Sequence, residues 1–453
     1  VPTSSLSRPT LELKEHQRVG IEWLQRVGRG LLADSQRSGK TAQLLRAAEG
    51  STLVIAPPHL VSTWERQRDI WAPDLEFTFA GYHTVAMRGA NDLGHMRKKL
   101  PLPRPDLRGH WDTAICDEAH ALVNHKANWT KATVMINSDR LYLSTGTPIP
   151  NWAWDLLMPL RLLFPGDRRF TNRRNWLERW FELYEPPFGG TQVQTGNGNN
   201  GLRDDCTWAE FWLENGLDGP DGHMLQRTVD LGVPFTEEHI EVDMEKEQKR
   251  IYNALKKDYV AWSDGNEIAA WSSSGLHTKL LQCATGLELI DSAKSSGKLK
   301  VLKELLTDGK GQPTLIFAWY QPAVDAAAEV ARSLGLRVGA IRGGVSQIER
   351  DLIEYDFQHG RLDVLVGSIA TISEGLDFSR ATTEIFLEHA SSPYRNDQAI
   401  KRAMKWGKTA HVHAIHLWTR KTADIGMRSL IEGKTEQQVK ALTAREFRAV
   451  LNG

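Results

Sequence analysis

The 453-residue sequence is poor in cysteine, has no excess charge of either sign and contains no long apolar run. Its three cysteines, Cys116, Cys206 and Cys283, lie far apart, which excludes a disulfide framework and the paired spacing of a zinc site. A reducing, cytoplasmic home is expected, in a bacterium or a virus-infected host cell, with the nucleus disfavoured because no basic run suggests import. No stretch of about 18 consecutive apolar residues occurs, so no transmembrane helix and no membrane partner are expected. The opening VPTSSLSRPT lacks a signal-peptide core and reads as a loose end. Lys+Arg and Asp+Glu are both 56, which excludes a surface coated in positive charge but not a basic cleft. No internal repeat at solenoid periods is visible. Sixteen tryptophans is a high count. Packing accounts for most of them, with base stacking open for one or two.

The length suits two or three domains, and 41% hydrophobic with 25% charged residues is a globular balance. Buried strands are expected at Thr52–Ala56, Thr113–Cys116, Arg140–Ser144, Thr314–Ala318, Val338–Ile341, Val364–Gly367, Glu384–Leu387 and Val412–Leu417. Helical patterns lie between many of them, for example Pro322–Leu334 and Gln347–His359. Short buried strands alternating with helices imply α/β architecture with parallel sheets covered on both faces. The strands fall before about residue 150 and after about residue 310, so two lobes are expected, divided at 1–232 and 233–453. Between them, residues 166–224 form an insertion rich in Trp, Arg and Gly. Its run Gly189–Gly201 (GGTQVQTGNGNNG) reads as a flexible surface loop. Residues 244–262 read as an amphipathic helix with Ile251, Leu255 and Tyr259 on one face.

Two motifs carry chemistry. In GLLADSQRSGKTAQLL (Gly30–Leu45) an apolar strand meets a tight loop ending Ser38-Gly39-Lys40-Thr41, and a helix follows. Backbone N–H groups of such a loop point at phosphate oxygens. Lys40 can reach the β/γ-phosphates, and the Thr41 hydroxyl can hold Mg²⁺. The full pattern would place glycine where Asp34 stands, and Arg37 adds bulk. The second motif, Ile115-Cys116-Asp117-Glu118-Ala119-His120, ends a strand, where open α/β sheets place ligands. Asp117 can hold Mg²⁺ and Glu118 can orient and deprotonate an attacking water. Three histidines, His411, His413 and His416, have no adjacent Cys or carboxylate partner, and a metal site there is not expected.

With these two motifs in order, the chain resembles superfamily-two helicase-type motors, most of all their Swi/Snf-like branch, over about Leu13 to Leu442. The resemblance implies two RecA-like parallel-sheet lobes in tandem with helical insertions between them. It also implies ATP and Mg²⁺ as the bound groups. Leu13–Gln17 and Gly20–Leu24 are similar to the opening motif, whose glutamine reads adenine, so the resemblance puts Gln17 beside the base with Ser38, Gly39, Lys40 and Thr41 on the phosphates. Val54–Pro58 with Trp64 resembles the segment that touches the nucleic-acid strand, which implies contacts from Pro57 and Trp64. Leu143–Asn151 resembles the third motif, with Thr145 facing the strand. Read without the family, that segment is a strand ending in a hydroxyl-rich turn that could equally cap a helix. Met224–Thr228 and Ser296–Leu299 resemble the exit from the first lobe and the entry to the second. Ile316-Phe317, and Gly343–Ser346 with Arg350 and Phe357, match second-lobe motifs. Ser368–Phe378 matches the fifth motif and Gln398–Lys405 the sixth. The matches imply nucleic-acid contacts from Gly343, Ser368 and Thr371, and nucleotide contacts from Gly375 and Asp377. In the sixth motif the family has two arginines three apart, whereas this chain has Arg402 and Lys405. Both are implied catalytic residues, with Lys40, Asp117 and Glu118. Lysine is a point charge and cannot make the planar fork of arginine, so hydrolysis is expected to be slow or to rest on Arg402.

The function implied is an ATP-dependent DNA translocase acting on duplex or branched DNA, expected as a monomer. Two alternatives stay open: a nucleotide-dependent DNA clamp with little hydrolysis, and an RNA helicase of the same superfamily.

Overall fold

The computed structural model describes residues 12–86, 101–185, 191–194, 201–219, 221–263, 266–269, 273–286, 296–372 and 376–451. These divide into two compact units, one drawn mainly from residues 12–149 and 153–229, the other mainly from 230–443.

The first unit is built on strands β1 (Arg29–Leu32), β2 (Thr52–Ala56), β3 (Phe77–Gly81), β4 (His110–Asp117) and β5 (Asn137–Ser144), a short hairpin of β6 (Leu183–Tyr184) and β7 (Gln192–Val193), and β8 (Met224–Leu225). Six of them form one parallel sheet in the order β3-β2-β4-β5-β1-β8. β2 is TLVIA and is buried at every position, as a strand covered on both faces must be. Helices Glu15–Val27, Lys40–Ala47 and Val61–Trp71 supply the covering layer through Trp23, Leu24, Leu44 and Trp64. All loops that follow the strands leave from one edge of the sheet, because every strand runs the same way; ligands of open α/β sheets bind there.

In the second unit, β9 (Phe235–Val242), a hairpin of β10 (Val260–Ser263) and β11 (Asn266–Ala269), β12 (Thr314–Ala318), β13 (Val338–Ile341), β14 (Val364–Ser368), β15 (Thr383–Phe386) and β16 (Val412–Thr419) follow in order. Its six-stranded sheet runs β13-β14-β12-β15-β16-β9, again all parallel. One face packs Leu302, Val324, Ala327 and Ala331 on Ile316 and Val366. The other packs Phe357, Ile369 and Phe378 on Leu315, Phe317 and Phe386.

Three expectations change. The helix placed at 244–262 runs Lys246–Asp258 and stops because Tyr259 turns left-handed (φ 61°) and leaves its ring exposed; β10 starts at the next residue. β9, absent from the expected strands, pairs with β16 over eight residues. The Gly189–Gly201 run is structured where it is described: Val193 pairs with Leu183 and Gln192 with Tyr184. Residues 189, 190 and 195–200 lie outside the described residues. The tryptophans of the insertion do pack. Trp176, Trp180, Trp208 and Trp212 are buried around Phe181 and Phe211, in tilted and edge-to-face contacts with ring centroids 5.2–6.4 Å apart.

Candidate active site

Between β1 and the helix Lys40–Ala47 the chain makes the loop that the sequence singled out. Gly39 sits at the helix N-cap with φ +81°, and a Cβ there would run into the Gln17 amide, so only glycine fits. Arg37 also has a left-handed backbone (φ 63°), a conformation that favours glycine and stores strain in a bulky residue. Asp34, the residue standing in the glycine position of the pattern, is wholly buried. Arg227 grips it with Nη2 at 2.6 Å and Nε at 2.8 Å, and the Gln43 amide donates to it at 3.1 Å. Arg227 also donates to His16 O and Gln43 Oε1, so one guanidinium ties β1, the opening helix and the exit strand β8 to the loop. The departure at Asp34 is therefore a structural pin. Lys40 Nζ donates to the carbonyls of Asp34 at 2.9 Å and Ser35 at 3.1 Å. Gln17 Nε2 donates to Ser38 O at 3.3 Å and Gly39 O at 3.4 Å, while its Oε1 accepts from Lys14 N–H at 2.8 Å. Gln17 and the loop are thus one hydrogen-bonded piece.

β4 ends at Asp117, in register with Ser144 of β5. The Trp64 indole Nε1 donates to Asp117 Oδ2 at 3.2 Å, and Glu118 N–H donates to Oδ1 at 3.0 Å. Enclosure of this carboxyl and the neighbouring Glu118 charge raise its pKa to about 6, against the opposing pull of Lys40. Glu118 is held at φ 50°, ψ 50°, a left-handed conformation that is rare for a side chain of this size and typical of strained functional positions. Its Oε2 lies 3.3 Å from His120 Nδ1.

This donor set fits a polyphosphate and a divalent cation. Ser38 Oγ is buried with no hydrogen-bond partner among the described residues, in a loop that also offers Lys40 and a helix N-terminus. Thr41, half-buried on the first turn of that helix, and Asp117 are oxygen ligands of the type that Mg²⁺ takes.

The other expected residues are placed as follows. Trp64 corrects its assignment as a strand contact: it is 1% exposed, packs edge-on to Phe77 and spends its N–H on Asp117, so it offers no surface to a nucleic acid. Pro57 is half-buried at the start of the turn Pro58–Leu60. Thr145 is buried, and its Oγ1 caps its own turn through Thr147 N–H and Thr147 O. In the second unit, Ser368 is buried against Thr371 (Oγ to Oγ1 2.7 Å), and Thr371 also donates to Ile341 O. Gly343 is exposed. Gly375 lies outside the described residues. Arg402 Nη1 donates to Leu376 O at 3.0 Å, and Lys405 Nζ pairs with Asp377 Oδ2 at 2.9 Å, so the fifth and sixth motifs meet. His416 stacks between Phe386 and His239, with Nε2 3.1 Å from Glu237 Oε1, as part of the packing of β16. Sequence reasoning missed the role of Arg227; a charged residue fixed in a phosphate loop is the signal that a buried cation must answer it.

Residues 16–290 match the SNF2-related domain, more than half of the chain, and residues 297–407 match the helicase conserved C-terminal domain. The chain belongs to the SNF2-related family. Its matched domains are those of SNF2-family helicase-like ATPases, which use ATP. It is 25% identical over 448 residues to a probable global transactivator of Orgyia pseudotsugata multicapsid polyhedrosis virus, covering 87% of this chain and 84% of the viral one. It is 24% identical to a probable chromatin-remodeling complex ATPase chain of Oryza sativa subsp. japonica, over 93% of this chain and 40% of that one. Against the SWI/SNF-related matrix-associated actin-dependent regulator of chromatin subfamily A member 1 of Homo sapiens the figures are 23%, 91% and 42%. The SNF2 chain thus spans less than half the length of these two remodelling relatives. Among solved structures it is similar to the Sulfolobus solfataricus SWI2/SNF2 ATPase core in complex with dsDNA, with 19% identity, 98% of each chain covered and a TM-score of 0.40. Among the described residues no helix is long and apolar enough to cross a membrane.

Proposed function

We propose that this ATPase is a DNA motor that converts ATP hydrolysis into movement along duplex or branched DNA. The observation that supports it most is the strained Glu118 beside Asp117, at the strand end next to the pinned phosphate loop. In this reading Ser38, Gly39 and Lys40 hold the phosphates, Thr41 and Asp117 hold Mg²⁺, and Gln17 meets adenine. Glu118 orients and deprotonates the attacking water, with His120 setting the carboxylate. Arg402 stabilises charge on the transferring phosphoryl group, Lys405 assists it, and Asp377 borders the nucleotide. In this reading hydrolysis needs both Lys40 and Arg402. Pro57, Thr145, Gly343, Ser368 and Thr371 mark the segments that meet phosphates of the nucleic acid, without base readout. A monomer suffices for this cycle.

One observation favours a second reading. Lys405 is an exposed lysine paired to Asp377, where the family has arginine. A clamp that binds ATP and DNA but barely hydrolyses would follow if that pair holds. Steady-state ATP turnover with no nucleic acid, duplex DNA, single-stranded DNA and RNA separates the readings. Turnover raised by duplex DNA and abolished by Lys40→Ala and Glu118→Gln supports the motor. A flat baseline in all four conditions sinks it in favour of the clamp, and stimulation by RNA alone points to an RNA helicase.

A further inference from the structure

We infer that Trp64 is a positioning residue for the Asp117 carboxylate, and that through it the segment opening at Pro57 is coupled to the ATP site. The inference rests on the reading of Asp117 as a cation ligand. Trp64 Nε1 fixes Oδ2 at 3.2 Å and Glu118 N–H fixes Oδ1 at 3.0 Å, so both oxygens have a donor and the carboxylate plane is set. Tyr82 fixes the same residue from behind, its Oη donating to Asp117 O at 2.7 Å. Trp64 and Tyr82 are both buried, so these bonds do not compete with bulk water.

The chemistry of the donor matters. An indole N–H is neutral and cannot accept a proton or cancel the carboxylate charge. It orients Asp117 while leaving each oxygen a further lone pair for a cation. A lysine or arginine in its place would compete with that cation. Outer donors of this kind orient a ligand, and losing one typically costs about 10–100-fold in metal affinity.

The position matters as well. Trp64 lies on the helix Val61–Trp71, entered directly from the turn that starts after Pro57. Fifty-three residues separate Trp64 from Asp117, so the bond joins two segments that only the fold brings together. A shift of the Pro57 turn moves the helix and, with it, the donor on Asp117.

The test is Mn²⁺ affinity in the presence of ADP, read by electron paramagnetic resonance with and without duplex DNA, on the full chain. Trp64→Phe keeps a ring and loses the donor. Tyr82→Phe removes only a hydroxyl and stays decisive if the first variant folds poorly. Phe77→Leu loosens the packing against Trp64 and leaves the N–H in place. The expected result is about a 10–100-fold weaker Mn²⁺ affinity in Trp64→Phe, a smaller loss in Tyr82→Phe and no change in Phe77→Leu. Duplex DNA tightens Mn²⁺ binding in the wild type but not in Trp64→Phe, since coupling between two ligands is reciprocal. Unchanged affinity in both donor variants, or equal loss in Phe77→Leu, overturns the inference while a DNA-stimulated wild type leaves the motor reading standing. A wild type with no DNA-stimulated turnover but weaker Mn²⁺ binding in Trp64→Phe overturns the motor reading and leaves the inference standing.

Discussion

Around Lys40 and Asp117 in the first unit, polar groups are pinned by partners 193 and 53 residues away. In the second unit, Arg402 donates to Leu376 O 26 residues away, Lys405 pairs with Asp377 28 residues away, and the lysine side chain is 57% exposed. The first arrangement is fixed by tertiary structure, with a left-handed Glu118 and a buried Asp34–Arg227 pair holding loop and strand end in one geometry. In the second, Arg402 donates to the Leu376 carbonyl, and Lys405 pairs with a surface carboxylate, an acceptor that an exposed cation exchanges at little cost. The surroundings of Lys40 and Asp117 are set by long-range contacts, whereas Lys405 pairs with a surface carboxylate nearer in sequence.

The comparison breaks first at Glu118. Glu118→Gln keeps the shape and removes the base, and DNA-stimulated turnover is expected to fall about 10²–10⁴-fold with nucleotide binding retained. Turnover within a few-fold of wild type would mean that the strained carboxylate is not the base. The next effect is on stability. Arg227→Ala strands Asp34 as a buried charge and should cost about 3–5 kcal/mol in denaturant unfolding. Adding Asp34→Asn to it should restore part of that loss, whereas no restoration would mean that Arg227 acts through packing alone.

In the second unit the pH response is the sharper probe. His389 Nε2 lies 2.8 Å from His416 Nδ1, and His389 stacks on Trp418. Burial, then His416, Lys298, His239 and Arg428, hold the His389 pKa well below 6.5. His239 is lowered too, first by burial and then by His416. A folded value below the unfolded one means that the unfolded chain takes up more protons, so stability is expected to fall as pH drops below about 6.5. Glu237, lowered mainly by its hydrogen bond from His416, adds its own loss only below its ordinary range near 4.5. Melting of His389→Gln between pH 7 and pH 5 should show a shallower slope than wild type; an equal slope would remove His389 as the source. The smallest effect is at Lys405, where Lys405→Ala should change turnover by about fivefold or less, as an exposed ion pair would. A larger loss would put Lys405 beside Arg402 as an essential cation.

Much of this was legible in the residues. β2, β12 and β14 are unbroken apolar runs, because parallel strands are buried on both faces. The loop at 38–41 and the carboxylates at 117–118 follow such strands in chain order. β9 escaped notice because FTEEHIEV is mostly exposed, and only its pairing with β16 makes it a strand. The end of the helix at Asp258 was hidden because Tyr259 fits the apolar spacing while its backbone turns the other way. Trp64 matched a strand-contact motif in sequence, yet its partner lies 53 positions away, and no local pattern reports such a contact. The Asp34–Arg227 pair is hidden for the same reason.

The proposed motor depends on Arg402 as the cation that stabilises the transferring phosphoryl group. It is tested most directly by ATP turnover of Arg402→Ala at saturating ATP with duplex DNA, beside its nucleotide affinity. The account predicts affinity close to wild type and turnover about 10³–10⁵-fold lower. Turnover at the wild-type rate, with the same DNA stimulation, would contradict it.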